Sequence, residues 1–220
     1  MKIRNGWIGA LIVSAALAAC GQDAAVPAAP ADVEVPAVPA SLPAADYVLD
    51  AAQSRLSFVS IKAGDIVETH RFDDITGGVA ADGQGELRVA LASVNTGVDI
   101  RNERMRDAFF EVDTYPEATA TVSIDPSVFE DLTVGDRRTI ALSADLSLHG
   151  ASVPVDTDVV VTRLSENSVS VDTLAPVSVV AAAHDLGAGV ETLREMAGLD
   201  QITPASLVTF TLVFDAATSG

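Results

Sequence analysis

Residues whose types and spacing could do chemistry are few. The chain has three histidines, His70, His149 and His184, far apart in sequence, and one cysteine, Cys20. Glu68 and His70 are two residues apart, so on an extended backbone they share a face. There a carboxylate and an imidazole can exchange protons or begin a metal site. No third metal ligand accompanies them, and a lipid hydrolase or isomerase using Glu68 and His70 is one reading, set against a packed or exposed histidine. The chain lacks Gly-x-Ser-x-Gly, His-Glu-x-x-His and a phosphate-binding loop. Gly187-Ala188-Gly189 precedes a helical stretch as a dinucleotide loop would. Thr192 stands where the third glycine belongs, and no βαβ unit surrounds it. The residues indicate no catalysis, metal or cofactor. A dense charged run remains, Arg101, Glu103, Arg104, Arg106 and Asp107. It reads either as pairing on a helix surface, at a few tenths of a kcal/mol per pair, or as a site for a headgroup.

Charge and cysteine content narrow the classes further. Thirteen basic residues face 31 acidic ones, a formal charge of −18. Nucleic-acid binding is excluded, because affinity for phosphates comes from lysine and arginine. The same charge repels anionic lipid surfaces. A lone cysteine excludes an internal disulfide framework and a thiolate-rich zinc site. Hydrophobic residues at 49% permit a buried core.

The chain opens with an address. Lys2 and Arg4 precede an uncharged stretch, Ile8 to Ala19, too short for a spanning helix of about 20 residues. Leu17-Ala18-Ala19-Cys20-Gly21 resembles the bacterial lipoprotein box, in which the cysteine is lipidated as the first mature residue. Ordinary cleavage after Ala18 is the alternative, since Ala16-Leu17-Ala18 also fits the small-x-small rule. Residues 1–19 are thus expected to be a lipoprotein-type signal peptide and Cys20 the lipidation site. Two acyl chains hold a protein on a membrane where one does so only marginally. Residues 20–45 hold five of the ten prolines. Such a segment is an extended tether, reaching roughly 75 Å at about 3.1 Å per residue. The expected setting is an exported lipoprotein facing the periplasm, on the outer membrane rather than the inner.

From residue 46 to 217 the pattern runs in twos. Leu87, Val89 and Leu91 alternate with Arg88, Ala90 and Ala92. Ala118, Ala120, Val122 and Ile124 alternate with Thr119, Thr121 and Ser123. Ile140, Leu142, Ala144, Leu146 and Leu148 form another face, as do Val155, Thr157, Val159 and Val161, and Val208, Phe210, Leu212 and Phe214. Sustained period two means antiparallel strands with one dry face. Gly77-Gly78, Asp82 to Gly85, Gly135-Asp136 and Glu166-Asn167 read as breaks between runs. Eight or nine strands with one dry face close most economically into an all-β barrel or sandwich. Two segments break the period and predict short helices at the rims: Asp99 to Glu111 with Asp99 as cap, and Leu186 to Ala197 stopped by Gly198. A membrane-spanning barrel would carry aromatic girdles; beyond residue 19 this chain has no tryptophan and only Tyr47 and Tyr115.

Bulky inward residues alternate with small ones such as Ala118, Ala120 and Ala144, so the interior is either a packed core or a cavity for one apolar chain. Phe109 and Phe110 cannot share one narrow helical stripe, so Phe110 either caps the barrel mouth or fills a second contact. A resemblance bears on that choice. The stretch Ser93 to Arg106, with Phe109-Phe110-Glu111-Val112 and Tyr115-Pro116, resembles the first signature of the YceI-like family. Leu146-Ser147-Leu148-His149-Gly150 with Val153-Pro154-Val155 resembles the second, and Tyr47 to Asp50 with Ser54, Leu56 and Phe58 resembles the family's start. Arg104 stands where many members have histidine, and Asn102 where many have aspartate.

The resemblance implies a lipocalin-like antiparallel eight-stranded β-barrel around a long-chain amphiphile, polyisoprenoid or fatty-acid-derived, without catalysis and without a cofactor. The inward parity gives the expected lining: Phe58, Leu91, Val122, Leu142, Leu146, Phe210 and Phe214, with Phe109 and Phe110 at the mouth. Expected partners are that lipid and, through the N-terminal anchor, a membrane. The oligomeric state is not fixed by the sequence, and a dimer is compatible with it. A ligand-free envelope interaction or stress-response module is the alternative from another class.

Overall fold

The computed structural model describes Leu42 and residues 45–217, so the expected signal peptide, Cys20 and nearly all of the tether lie outside the described residues. Twelve strand segments follow one another: β1 (Tyr47–Leu49), β2 (Arg55–Lys62), β3 (Ile66–Phe72), β4 (Ile75–Val79), β5 (Gln84–Ala90), β6 (Val94–Asn95), β7 (Glu117–Ser123), β8 (Arg137–Leu148), β9 (Ala151–Arg163), β10 (Ser168–Thr173), β11 (Val177–Val180) and β12 (Ala205–Ala216). Four interrupted pairs each make one long stave: β1 runs on as β2, β3 as β4, β5 as β6 and β10 as β11. The result is eight staves. Each pairs antiparallel with the next in sequence. The ring closes where β12 takes β10 and β11 on one edge and β1 and β2 on the other. The fold is a closed eight-stranded antiparallel β-barrel.

The period-two sequence produces this directly. Along β8 exposure alternates at every step, with Ile140, Leu142, Ala144 and Leu146 turned inward and Thr139, Ala141, Ser143 and Asp145 outward. One face of each stave is dry, and rolling the sheet buries all eight against one another without a second layer. The β8–β9 hairpin is the tightest connection. Leu148 pairs with Ala151 across two residues, His149 at φ 51° and Gly150 at φ 80°. Two consecutive positive φ values are what a type I′ turn needs, and this turn follows the right-handed twist of the strands.

Gly77 and Gly78 lie inside β4, not in a break as their sequence suggests. A Cβ on Gly77 would stand 2.4 Å from the Glu86 carbonyl oxygen, and one on Gly78 would stand 2.7 Å from that of Tyr47. The glycines let β4 press against β5 and β1 at once.

The two helices differ in how they match expectation. The second, α2 (Gly187–Ala197), ends at Gly198 in the left-handed conformation, as predicted. The first is shorter: α1 (Asp99–Arg104) gives way to a π turn, Met105–Phe109, closed by the Phe110 amide donating to the Met105 carbonyl at 2.8 Å. Val98 is the N-cap and no side chain caps it, so Asp99 lies in the first turn, where its charge meets the helix N-terminus. Glu111, at φ 50°, lies beyond the helix.

Both helices sit at the barrel end where β2 turns into β3. There Arg101 reaches Glu68, the Arg104 guanidinium donates to the Met196 carbonyl, and Lys62 bridges Ile202. The opposite end is packed with Leu49, Leu132 and Val169. Arg163, fully buried, donates there to the carbonyls of Leu132, Ser165 and Glu166 at 2.8, 3.1 and 3.2 Å.

Gly77→Ala is expected to destabilise the protein by about 2 kcal/mol, since the backbone must part to admit the methyl group. Gly187→Ala, whose Cβ meets nothing closer than 3.9 Å, should be neutral or slightly stabilising. Urea unfolding midpoints of the two variants check this.

Candidate functional site

An elongated cavity of about 460 Å³ runs inside the barrel. On β12 alone its lining extends from Ala205 to Phe214, nine steps or about 30 Å at about 3.3 Å per residue. All nine expected lining residues border it: Phe58 on β2, Leu91 in a 3₁₀ turn, Phe109 in the π turn, Phe110 just after it, Val122 on β7, Leu142 and Leu146 on β8, and Phe210 and Phe214 on β12. Leu142, Ala144, Leu146, Ala120 and Val122 point inward yet are only half-buried, because they face a hollow instead of one another. The interior is therefore not a solid core.

One wall is aromatic. Phe58, Phe72, Phe110 and Phe109 follow in contact, with centroids 5.2, 5.8 and 4.7 Å apart and rings tilted. Tilted rings at such centroid distances add to area burial. The π turn explains how two adjacent phenylalanines join one wall: its wider winding rotates Phe110 toward Phe72 while Phe109 still meets the cavity. Phe110 is 5% exposed, deeper than the mouth position expected of it. Gly189 matters here for its smallness, since a Cβ would stand 3.0 Å from the Phe109 ring. The facing wall carries small residues, among them Gly85, Ala118, Ala120 and Ala144. Phe72 was missed in the sequence, although it continues the parity of Glu68 and His70 along β3.

Polar side chains border the cavity mainly at the helical end. Glu68 receives Lys62 at 2.6 Å and Arg101 at 2.8 Å. The hydrogen bond from Lys62 is the largest influence holding the Glu68 carboxyl below its usual range, and Arg101 adds to it. Arg101 is itself fixed, its other terminal nitrogen donating to the Thr96 carbonyl at 2.7 Å. Asn102 accepts from the Thr96 amide and hydroxyl at 2.8 and 2.6 Å, which holds the loop that presents that carbonyl. His70, 5% exposed, packs on Phe58 with centroids 5.2 Å apart, and its Nε2 lies 2.9 Å from Ser60 Oγ. Burial first, then the Arg101 charge, pushes the His70 pKa below the ordinary histidine value. Lys62 and Ser60 continue the parity of Phe58, a signal available in the sequence but unused.

Glu68 and His70 share a face, as expected, but they do not form an acid–base pair. Glu68 is held by two cations, and the partner of His70 is a serine hydroxyl. His149 stacks on Tyr115 at 4.2 Å in the β8–β9 turn, and His184 is buried in the 3₁₀ turn Ala181–His184, so the structure does not gather the histidines. Among the described residues no three metal-ligating side chains converge. The charged run on α1 does not pair along the helix surface. Arg101 reaches β3 and Arg104 reaches α2, and both border the cavity. The arrangement can shelter an elongated apolar group and offers polar contacts at one end.

Because the folded protein resists charging His70, the unfolded chain binds the extra proton first as pH falls. Stability is therefore full above about pH 6.5 and declines below it toward the folded pKa. An NMR titration should place the His70 midpoint below 6.5; a midpoint at or above that value contradicts the burial described.

The model of the family described as YceI-like domain matches residues 47–214. Among solved structures, a polyisoprenoid-binding domain from Saccharophagus degradans implicated in plant cell wall breakdown is 44% identical, with a TM-score of 0.76, over 78% of this chain and 98% of that one. BcnA of Burkholderia cenocepacia is 21% identical with a TM-score of 0.59, over 77% of this chain and 99% of that one, a likeness of fold. No curated protein sequence matches.

Proposed function

The chain belongs to the YceI-like domain family, and from that premise we propose that it binds a long apolar amphiphile, a polyisoprenoid or a fatty-acid-derived lipid, inside its barrel. One observation carries the reading: inward apolar residues at mid-barrel are half-buried around an elongated cavity of about 460 Å³. That volume lies in the range of ligand sites, and the length along β12 suits an extended chain. The 44%-identical relative described as polyisoprenoid-binding supports the same ligand class. The function is sequestration or carriage, without catalysis. The lipoprotein-type signal, Cys20 and the tether would place the barrel in the cell envelope, anchored to a membrane.

The driving force is burial. Each sheltered methylene favours the complex by about 0.8 kcal/mol, roughly four-fold in affinity per carbon until the cavity is filled. Ala120 and Ala144 face the cavity where it is lined by small side chains. Replacing either by Phe fills that space, and both variants are expected to lose uptake of an environment-sensitive fatty-acyl probe at least ten-fold while keeping the wild-type circular dichroism spectrum. Mass spectrometry of an organic extract of the purified full-length protein should show a co-purifying amphiphile. Absence of any such lipid, together with no probe uptake by the wild type, would favour the ligand-free module.

A further inference from the structure

The cavity is apolar along most of its length, yet two buried nitrogens at its helical end have no hydrogen-bond partner: Nδ1 of His70 and Nε of Arg101. Both residues border the cavity, and His70 is 95% removed from solvent. An unmet buried donor or acceptor costs about 1–3 kcal/mol. Neither nitrogen is unmet because its side chain is misplaced. His70 is fixed by Ser60 through Nε2, and Arg101 is fixed by Glu68 and Thr96 through its terminal nitrogens. The two side chains are therefore held in position with one nitrogen each left over.

The charge around them has a definite sign. Lys62, Arg101 and Arg104 border the cavity here, and among the described residues Glu68 is the one carboxylate that borders it at this end. Glu68 already serves two of the three cations. A surplus of positive charge thus stands at one end of a greasy cavity, in a chain whose formal charge is −18. Local charge opposed to the whole is what an anion would require, and charge-assisted bonds are the strong ones.

We propose that this end of the cavity holds an anionic lipid head, a carboxylate or a phosphate monoester, which accepts hydrogen bonds from Arg101 Nε and His70 Nδ1 while Lys62 and Arg104 balance its charge. The Ser60 hydroxyl donates to His70 Nε2 in this arrangement, so the neutral imidazole carries its proton on Nδ1, toward the ligand. The proposal rests on the lipid-binding reading above and specifies which lipids: acidic ones, inserted tail first.

Displacement of an environment-sensitive fatty probe from the full-length protein tests it, with four competitors of one chain length: hexadecanoate, hexadecyl phosphate, hexadecanol and methyl hexadecanoate. Wild-type protein is expected to bind at least one of the two acidic competitors about ten-fold tighter than the alcohol or ester, and the better of the two identifies the head. Arg101→Gln and Lys62→Met should each shrink that preference to about two-fold or less. Arg71→Gln, which removes an exposed arginine facing outward on β3, should keep it. Equal affinity for all four competitors overturns the headgroup proposal and leaves the cavity reading standing. A preference that survives both Arg101→Gln and Lys62→Met overturns the assignment of the site. Failure of all four to displace the probe, with no uptake of the probe itself, overturns both readings.

Discussion

The seam between β12 and the first stave carries the architecture. Thr211 pairs with Arg55 and Leu207 with Val59, and farther along the same edge Phe214 pairs with Leu49. Without these pairings, eight amphipathic staves would form an open sheet with its whole apolar face in water and two unpaired edges. With them, one side of every strand is dry and β12 is paired along both of its edges. A single long strand makes this closure by accepting two neighbours on each edge, β10 with β11 and β1 with β2.

Closure buries the dry faces but does not fill the space between them. What fills a small barrel is side-chain volume, and here that volume is unevenly distributed. Phe58, Phe72, Phe109 and Phe110 crowd one wall, while alanines and a glycine line the other. The asymmetry leaves a cavity between walls. The same logic explains the excursion between β6 and β7: α1 and its π turn add Met105, Phe109 and Phe110 to the aromatic wall and bring Arg101 to the rim.

How much of this was legible depended on whether a feature repeats. Alternation in β7, β8 and β12 was plain, and parity alone chose Val122, Leu142, Leu146, Phe210 and Phe214, all of which border the cavity. Features set by a single contact between distant segments were not readable. Gly77 and Gly78 look like a break because their reason, a carbonyl on each side, lies on other strands. The π turn is invisible in a pattern that Met105, Ala108 and Phe109 satisfy as an ordinary helix. The Lys62–Glu68–Arg101 cluster joins three segments, so the arginine run on α1 resembled a solvated helix face. Arg163, fully buried, donates to backbone carbonyls of Leu132, Ser165 and Glu166, contacts that no side-chain pattern in the sequence announces.

Tyr47 pairs with Ala216, so the chain enters and leaves the barrel side by side, at the end packed by Leu132 and away from Lys62 and Arg101. An experimental handle joined at residue 46 or 217 therefore meets the barrel at its base. The rim built by α1 and α2 lies at the other end of the staves, so the barrel's base and its polar rim are separated by the full length of a strand.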